Sequence, residues 1–164
     1  MNTIQILNEL QIAHKIKRMA YEIWEKNATE TDIYIFGLEE GGAVIAQNLS
    51  HHLKAISPIS IHEFALNFDK KNLKLPENNI PAAIHNQVVI LVDDVANSGK
   101  TLLYALMPFL EFQPKKIELV VLVDRKHKNF PINADIVGHT LSTTVQDNIR
   151  VTFDNGKLTG AFLE

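Results

Sequence analysis

Hydrophobic positions recur along this chain with two alternating periods. In residues 6–27, ILNELQIAHKIKRMAYEIWEKN, the apolar side chains Leu7, Leu10, Ile16, Met19, Ala20, Ile23 and Trp24 return every three or four positions. That spacing predicts an amphipathic helix. DIYIFGL, at 32–38, reads as a buried strand. Gly41 and Gly42 open a second helical stretch, GAVIAQNLSHHLKAI, which Pro58 closes, and ISIHEFAL at 59–66 reads as another strand. Residues 88–92 are wholly apolar and predict a fully buried strand. TLLYALMPFLEFQ predicts a helix and KIELVVLVD a further buried strand. The tail is made of short strands, ADIVGHTL and then IRVTFDNGKLTGAFL, with Asn155-Gly156 as a hairpin turn. Apolar strands alternating with helices predict an α/β fold whose parallel sheet is covered on both faces. Residues 67–86 break the pattern with Asn, Lys, Asp and two prolines. They predict a long mobile loop, a feature that is usually functional inside a compact domain.

Composition narrows the field. The 164 residues fit one domain, 1–164, with no repeat and no internal boundary. A net charge of -3 gives no global basic field to recruit nucleic acid. No apolar run approaches the roughly 20 residues of a membrane span. Glu9 and its polar neighbours stand where a secretory apolar core would sit, so a cytoplasmic protein is expected. Without cysteine there is no disulfide, thiolate nucleophile or Cys-based zinc site. The seven histidines show no ligand spacing; His51 and His52 are adjacent on a helix and point to different faces.

The chemistry concentrates in VVILVDDVANSGKT, 88–101. An apolar strand ends in Asp93 and Asp94, then a small-residue turn leads into a helix. Ligands of α/β sheets bind at the carboxyl ends of the strands. In such a turn, successive backbone N–H groups converge on an anion, and the helix dipole adds favourable potential. The paired carboxylates can accept hydrogen bonds from sugar hydroxyls and hold Mg²⁺ directly or through water. The implied ligand carries a phosphate and vicinal hydroxyls, as a ribose 5-phosphate does. SGKT is not a P-loop, because the residue five before Gly99 is Asp94 rather than glycine. The bland alternative is a plain helix start with Ser98 as N-cap.

These residues resemble the phosphoribosyl diphosphate (PRPP) signature of type I phosphoribosyltransferases. LVDRKH (122–127), PINADIVG (131–138) and a first helix ending in EKN are similar to the PyrR-like branch, pyrimidine-operon attenuators with uracil phosphoribosyltransferase activity. The resemblance implies a mostly parallel twisted sheet flanked by helices, a small hood and a flexible flap. It implies transfer of ribose 5-phosphate from Mg²⁺-bound PRPP to a nucleobase, uracil first, giving UMP and pyrophosphate in nucleotide salvage. By position, Asp93 and Asp94 become the catalytic, ribose- and metal-binding pair. Ala96, Asn97, Ser98, Gly99, Lys100 and Thr101 wrap the 5-phosphate. GLEEGG supplies the pyrophosphate loop, with Leu38, Glu39, Glu40, Gly41 and Gly42. Residues 65–85 form the flap, and Arg125, Ile136 and Val137 border the base. A homodimer or higher homo-oligomer is implied as well. The alternatives are a catalytically weak PRPP- or nucleotide-sensing regulator, and transfer to a purine base.

Three departures mark this chain. Glu39 and Glu40 stand where the family commonly carries Lys or Arg beside the glycines. Asn97 replaces the Asp of purine-type members and the Tyr of PyrR-like ones, and an amide is no general base at neutral pH. The flap offers Lys70, Lys71 and Lys74 but no arginine. RNA attenuation would need a basic surface; Lys15, Lys17 and Arg18, with Arg125, Lys126 and Lys128, are the candidates. Against the acidic balance, RNA binding is expected to be absent or weak.

Overall fold

A computed structural model describes residues 3–69, 71–75, 79–144 and 146–164. The elements in order are β1 (Ile4–Asn8), α1 (Glu9–Lys26), β2 (Asp32–Leu38), α2 (Glu39–Ile56), β3 (Ser60–Leu66), β4 (Val88–Ala96), α3 (Lys100–Leu110), β5 (Lys116–Arg125), β6 (Ile136–Leu141), β7 (Ile149–Asp154) and β8 (Lys157–Leu163), with a 3₁₀ turn at Ala82–Ile84. The main sheet has five strands in the order β3-β2-β4-β5-β6, every pair parallel. A second sheet of three strands, β1-β8-β7, is antiparallel.

The strands are apolar because both faces are covered. Val88, Ile90 and Val92 of β4 join a core with α1 and α2, while Val89 and Leu91 join a second core with α3. At roughly 1.5–3 kcal/mol per buried aliphatic side chain, this alternation fixes the register of β4 and therefore where its last residues emerge. The small sheet is not separate, since Leu7, Ile149, Val151, Leu158 and Ala161 belong to the first core.

The first helix begins later than its periodicity predicts. Residues 4–8 form β1 against β8, with Ile4 opposite Leu163 and Leu7 opposite Ala161. Asn8 ends the strand and caps α1: its Oδ1 accepts the Gln11 N–H, and the Gln11 side chain accepts the Asn8 N–H, each at 2.8 Å. This reciprocal capping box stops the helix from extending backward. In the segment 67–86, Phe68, Leu75 and Ile84 are buried in the core on the α3 side, and Asp69 bridges Lys74. Those described parts are anchored rather than free of the core. Ala65 and Leu66, expected in the flap, are the last residues of β3. Lys70 and positions 76–78 lie outside the described residues, whereas Lys71 and Lys74 are exposed.

Candidate functional site

A cleft of 310 Å³ opens at the carboxyl end of β4. Asp93, Asp94 and all of 96–101 line it, as do Glu39 and the stretch 148–151 of the small sheet. The two aspartates are the last-but-three and last-but-two residues of β4. Successive strand residues face opposite sides, so the adjacent carboxylates point apart rather than at each other. Asp94 lies on the α2 side, where a Cβ on Gly41 would stand 2.4 Å from its Oδ2. Each carboxylate is oriented by the next amide: Asp93 Oδ1 accepts the Asp94 N–H at 2.9 Å, and Asp94 Oδ1 accepts the Val95 N–H at 2.8 Å. Asp93 is buried and Asp94 half-buried, both with access to the cleft.

The helix that follows is built to receive an anion. The N-cap of α3 is Gly99, not Ser98, at φ 84°, a left-handed conformation that glycine adopts without cost. Gly99 has no side chain to cap the first turn, so the opening amides of α3 remain for a ligand. Ser98 Oγ makes only a long contact, 3.3 Å, with the Lys100 N–H. A second loop clamps this turn from behind. The Ser98 carbonyl accepts the N–H groups of Asn129 and Phe130 at 3.0 and 3.2 Å. Ile132 packs so closely on Gly99 that a Cβ there would lie 2.5 Å from it. Lys128, which donates to Asp124 and to the Arg125 carbonyl, holds the clamp loop to the end of β5.

The expected pyrophosphate loop is the start of α2, and its residues divide. Leu38 is fully buried and serves as N-cap without a side-chain bond. Glu40 is exposed, whereas Glu39 is half-buried and reaches the cleft. Gly41 and Gly42 pack against β4. Glu39 sits at φ 56°, a strained conformation for a non-glycine residue that costs about 1–3 kcal/mol. Its Oε1 accepts the Phe68 N–H at 2.9 Å, which ties the first turn of α2 to the first residues after β3. Glu39→Ala should release that amide. A charge-assisted bond is worth about 1.5–3 kcal/mol, so protease cleavage within 67–86 should quicken roughly tenfold or more, read by mass spectrometry. An unchanged rate would mean the bond does not hold the segment.

The base side differs most from expectation. Arg125 is the last residue of β5 but does not line the cleft. Its Nε donates to Thr143 Oγ1 at 2.7 Å, its Nη2 to the Thr144 carbonyl at 2.8 Å, and its Nη1 to Asn97 Oδ1 at 3.4 Å. Hydrogen bonds from the Thr144 hydroxyl and then its amide, with a smaller contribution from the Arg125 charge, hold the Asp147 carboxyl below its usual value. Ile136 is buried in the core shared with α1 and α2. Val137 is half-buried on the opposite face, and its carbonyl accepts from Arg18 Nη2. Neither lines the cleft. The sequence reading missed 148–151, a cleft wall brought there by the β7–β8 hairpin; nothing local in NIRV marks it.

Among the described residues, no group of three or more His, Asp or Glu is placed to hold a metal ion. The two carboxylates of β4 suit a metal that arrives already bound to a phosphorylated ligand, not one held by the chain alone.

Comparison with known proteins places this geometry. A family model described as the phosphoribosyl transferase domain matches residues 2–154. A bifunctional PyrR protein of Enterococcus faecalis is 33% identical over 159 residues, covering 92% of this chain and 89% of that one. One of Corynebacterium glutamicum is 34% identical over 162 residues, covering 90% and 84%. The hypoxanthine phosphoribosyltransferase of Trypanosoma cruzi superposes with a TM-score of 0.78 at 16% identity, over 95% of this chain and 94% of that one. A hypoxanthine-guanine phosphoribosyltransferase of Bacillus anthracis gives 0.75 at 23% identity, over 86% and 84%. At these identities the solved structures speak for the fold alone.

Proposed function

The chain belongs to the phosphoribosyltransferase family, in its PyrR-like branch, and from that premise we propose that it transfers ribose 5-phosphate from PRPP to uracil. One observation carries the reading. The aspartate pair near the end of β4 and the start of α3 line one cleft, which so offers acceptors for a diol and donors for a phosphate. In the reaction, a bond forms between C1′ and the base nitrogen as the C1′–O bond to pyrophosphate breaks. The pyrophosphate leaves with the electron pair, and the proton of the base N–H passes to solvent or to the leaving group.

This chain's residues supply binding and orientation. Asp93 and Asp94 accept from the ribose hydroxyls and fix C1′, and the amides at 99–101 hold the 5-phosphate. A reactant held this way needs little further ordering to react. Mg²⁺, brought in on the diphosphate and reached by Asp93 and Asp94 directly or through water, would neutralise the departing charge. Glu39 would lie near the path of that diphosphate; the Phe68 N–H already takes up part of its charge, and a bound Mg²⁺ would offset the rest. In this reading the flap follows β3, and Glu39 tethers its first described residues through the Phe68 N–H.

RNA contact should be absent or weak. Arg18 donates to the Val137 and Gly138 carbonyls and pairs with Glu22. Arg125 and Lys128 are engaged as well. Burial, and then Lys15, lower the pKa of His139; burial, His51 and Lys17 lower that of His52. The second reading is a PRPP-sensing regulator with slow catalysis, favoured by the acidic Glu39 and the amide of Asn97 in the cleft. We expect the protein to act in the cytoplasm and as a homo-oligomer.

A base panel separates the readings. With Mg-PRPP and uracil, cytosine, hypoxanthine or guanine, pyrophosphate release should be fastest with uracil, and UMP should form. Saturable PRPP binding with no release from any base would favour the sensor. Release with hypoxanthine or guanine alone would replace uracil by a purine.

A further inference from the structure

The cleft that would take a diphosphate is lined by three carboxylates, Glu39, Asp93 and Asp94. The loop expected to carry Lys or Arg beside its glycines carries Glu39 and Glu40 instead. Among the described residues, the only basic ones on the cleft wall are Lys100 and Arg150. Lys100 opens α3, beside the place of the 5-phosphate. Arg150 belongs to β7.

β7 is the edge strand of the small sheet, bonded to β8 alone, and its stretch 148–151 borders the cleft. Ile149 and Val151 turn inward to the core, so Arg150 between them emerges on the outer face. There it lies opposite Phe162 of β8, with its Cζ 5.8 Å from the ring centre. Its Nε donates to Glu164 Oε1 at 2.8 Å, and its Nη2 donates to the same oxygen. Both partners lie on the β8 side, so the guanidinium is drawn over β8 and off the edge that borders the cleft.

The hold is light. Two donors share one oxygen, so the pair lacks the two-oxygen fork that makes an arginine–carboxylate contact strong. The Arg150 side chain is 52% exposed and that of Glu164 31%, and water screens such a pair. A diphosphate offers the guanidinium several charged oxygens at once. Rotation of the arginine stem moves the head from over β8 to the cleft edge, a shift of about one strand spacing, 4.8 Å.

We propose that Arg150 is the side chain that receives the diphosphate, held in reserve by Glu164 and drawn across β7 by the incoming anion. This rests on the transferase reading above and names the group that takes up the charge of its leaving group. As the C1′–O bond breaks, the electron pair stays on the diphosphate oxygen, and a guanidinium beside it stabilises the added charge. The cation missing beside Gly41 is thereby supplied from the small sheet.

Calorimetry with Mg-pyrophosphate, Mg-PRPP and ribose 5-phosphate tests this without a base or turnover. Arg150→Met should weaken Mg-pyrophosphate and Mg-PRPP about tenfold and leave ribose 5-phosphate within about twofold. Glu164→Gln should act in the opposite direction, tightening Mg-pyrophosphate about two- to fivefold, because the competitor for the guanidinium has lost its charge. In the double variant that gain should vanish, since Glu164 acts through Arg150. A pair that only braces the small sheet predicts a different pattern, in which both single variants lower Tm and weaken all three ligands together. That pattern, native Mg-pyrophosphate affinity in Arg150→Met, or no tightening in Glu164→Gln overturns the proposal. If the wild type ribosylates uracil while Arg150→Met binds Mg-pyrophosphate natively, the proposal falls and the transferase stands. The expected signs without turnover on any base would remove the transferase and leave the role of Arg150 standing.

Discussion

Asp93→Asn and Asp94→Asn together should abolish PRPP binding, and each alone should weaken it about 10–100-fold. A hydrogen bond to an ionised carboxylate contributes about 1.5–3 kcal/mol, against about 1 for a neutral pair, and in the proposed complex each aspartate would accept from a sugar hydroxyl or a metal-bound water. Asparagine keeps the shape and one carbonyl oxygen. That oxygen can still accept the Asp94 and Val95 amides that the native Oδ1 atoms accept at 2.9 and 2.8 Å. The local turn at the end of β4 should therefore survive, and the loss should lie in the charge rather than in the fold. Calorimetric titration with Mg-PRPP, alongside a melting curve, makes the distinction. A double variant that melts as wild type and still binds PRPP with native affinity would remove the carboxylates from the site.

What could be read from the chain follows from how local each signal is. The strands β2, β4 and β5 announce themselves because their middle stretches, 35–38, 88–92 and 119–123, are apolar and buried on both faces. The end of β4, its turn and the start of α3 are contiguous, so the paired aspartates and the helix start are legible together in 88–101. The first strand was not. Leu7 fits both a helix repeat and a strand, and what decides is β8, whose residues 160–163 lie some 150 positions away. The capping box of Asn8 and Gln11, written locally in NELQ, marks where the helix begins. The surroundings of Arg125, Ile136 and Val137 were illegible for the same reason. Ile136 and Val137 follow each other in a strand, so at most one can face a given side, and Ile136 faces the core. Arg125 looked like a base contact because its own partners, Thr143 and Thr144, lie in a loop with no pattern of its own. Glu39 looked repulsive because its amide partner, Phe68, is 29 residues downstream.

Gly41→Ala and Gly42→Ala should separate ligand affinity from fold stability, although the two glycines are adjacent on α2. A methyl on Gly41 would meet Asp94 at 2.4 Å from Oδ2 and 2.8 Å from Cγ. That obstacle is a side chain, and it can rotate away at the cost of leaving its place above the cleft. Alanine also favours the helix over glycine by up to about 1 kcal/mol, which offsets the local strain. Gly41→Ala should therefore melt close to wild type and bind PRPP at least about tenfold more weakly. A methyl on Gly42 would instead meet the Val92 carbonyl at 2.6 Å and the Asp93 Cα at 3.3 Å. Backbone cannot rotate away, so α2 must lift from β4, and overpacking of this kind costs about 1–3 kcal/mol or more. For a chain of this size that is a fall in Tm of roughly 2–12 °C. Both outcomes follow from one contact, the first turn of α2 seated directly on the end of β4. Native PRPP affinity in a well-folded Gly41→Ala would show that the position of Asp94 does not set binding. Native stability in Gly42→Ala would show that the helix is not seated there. The paired glycines of this loop are required for the approach of helix to strand that holds the aspartate in place, whether or not their amides also meet the diphosphate.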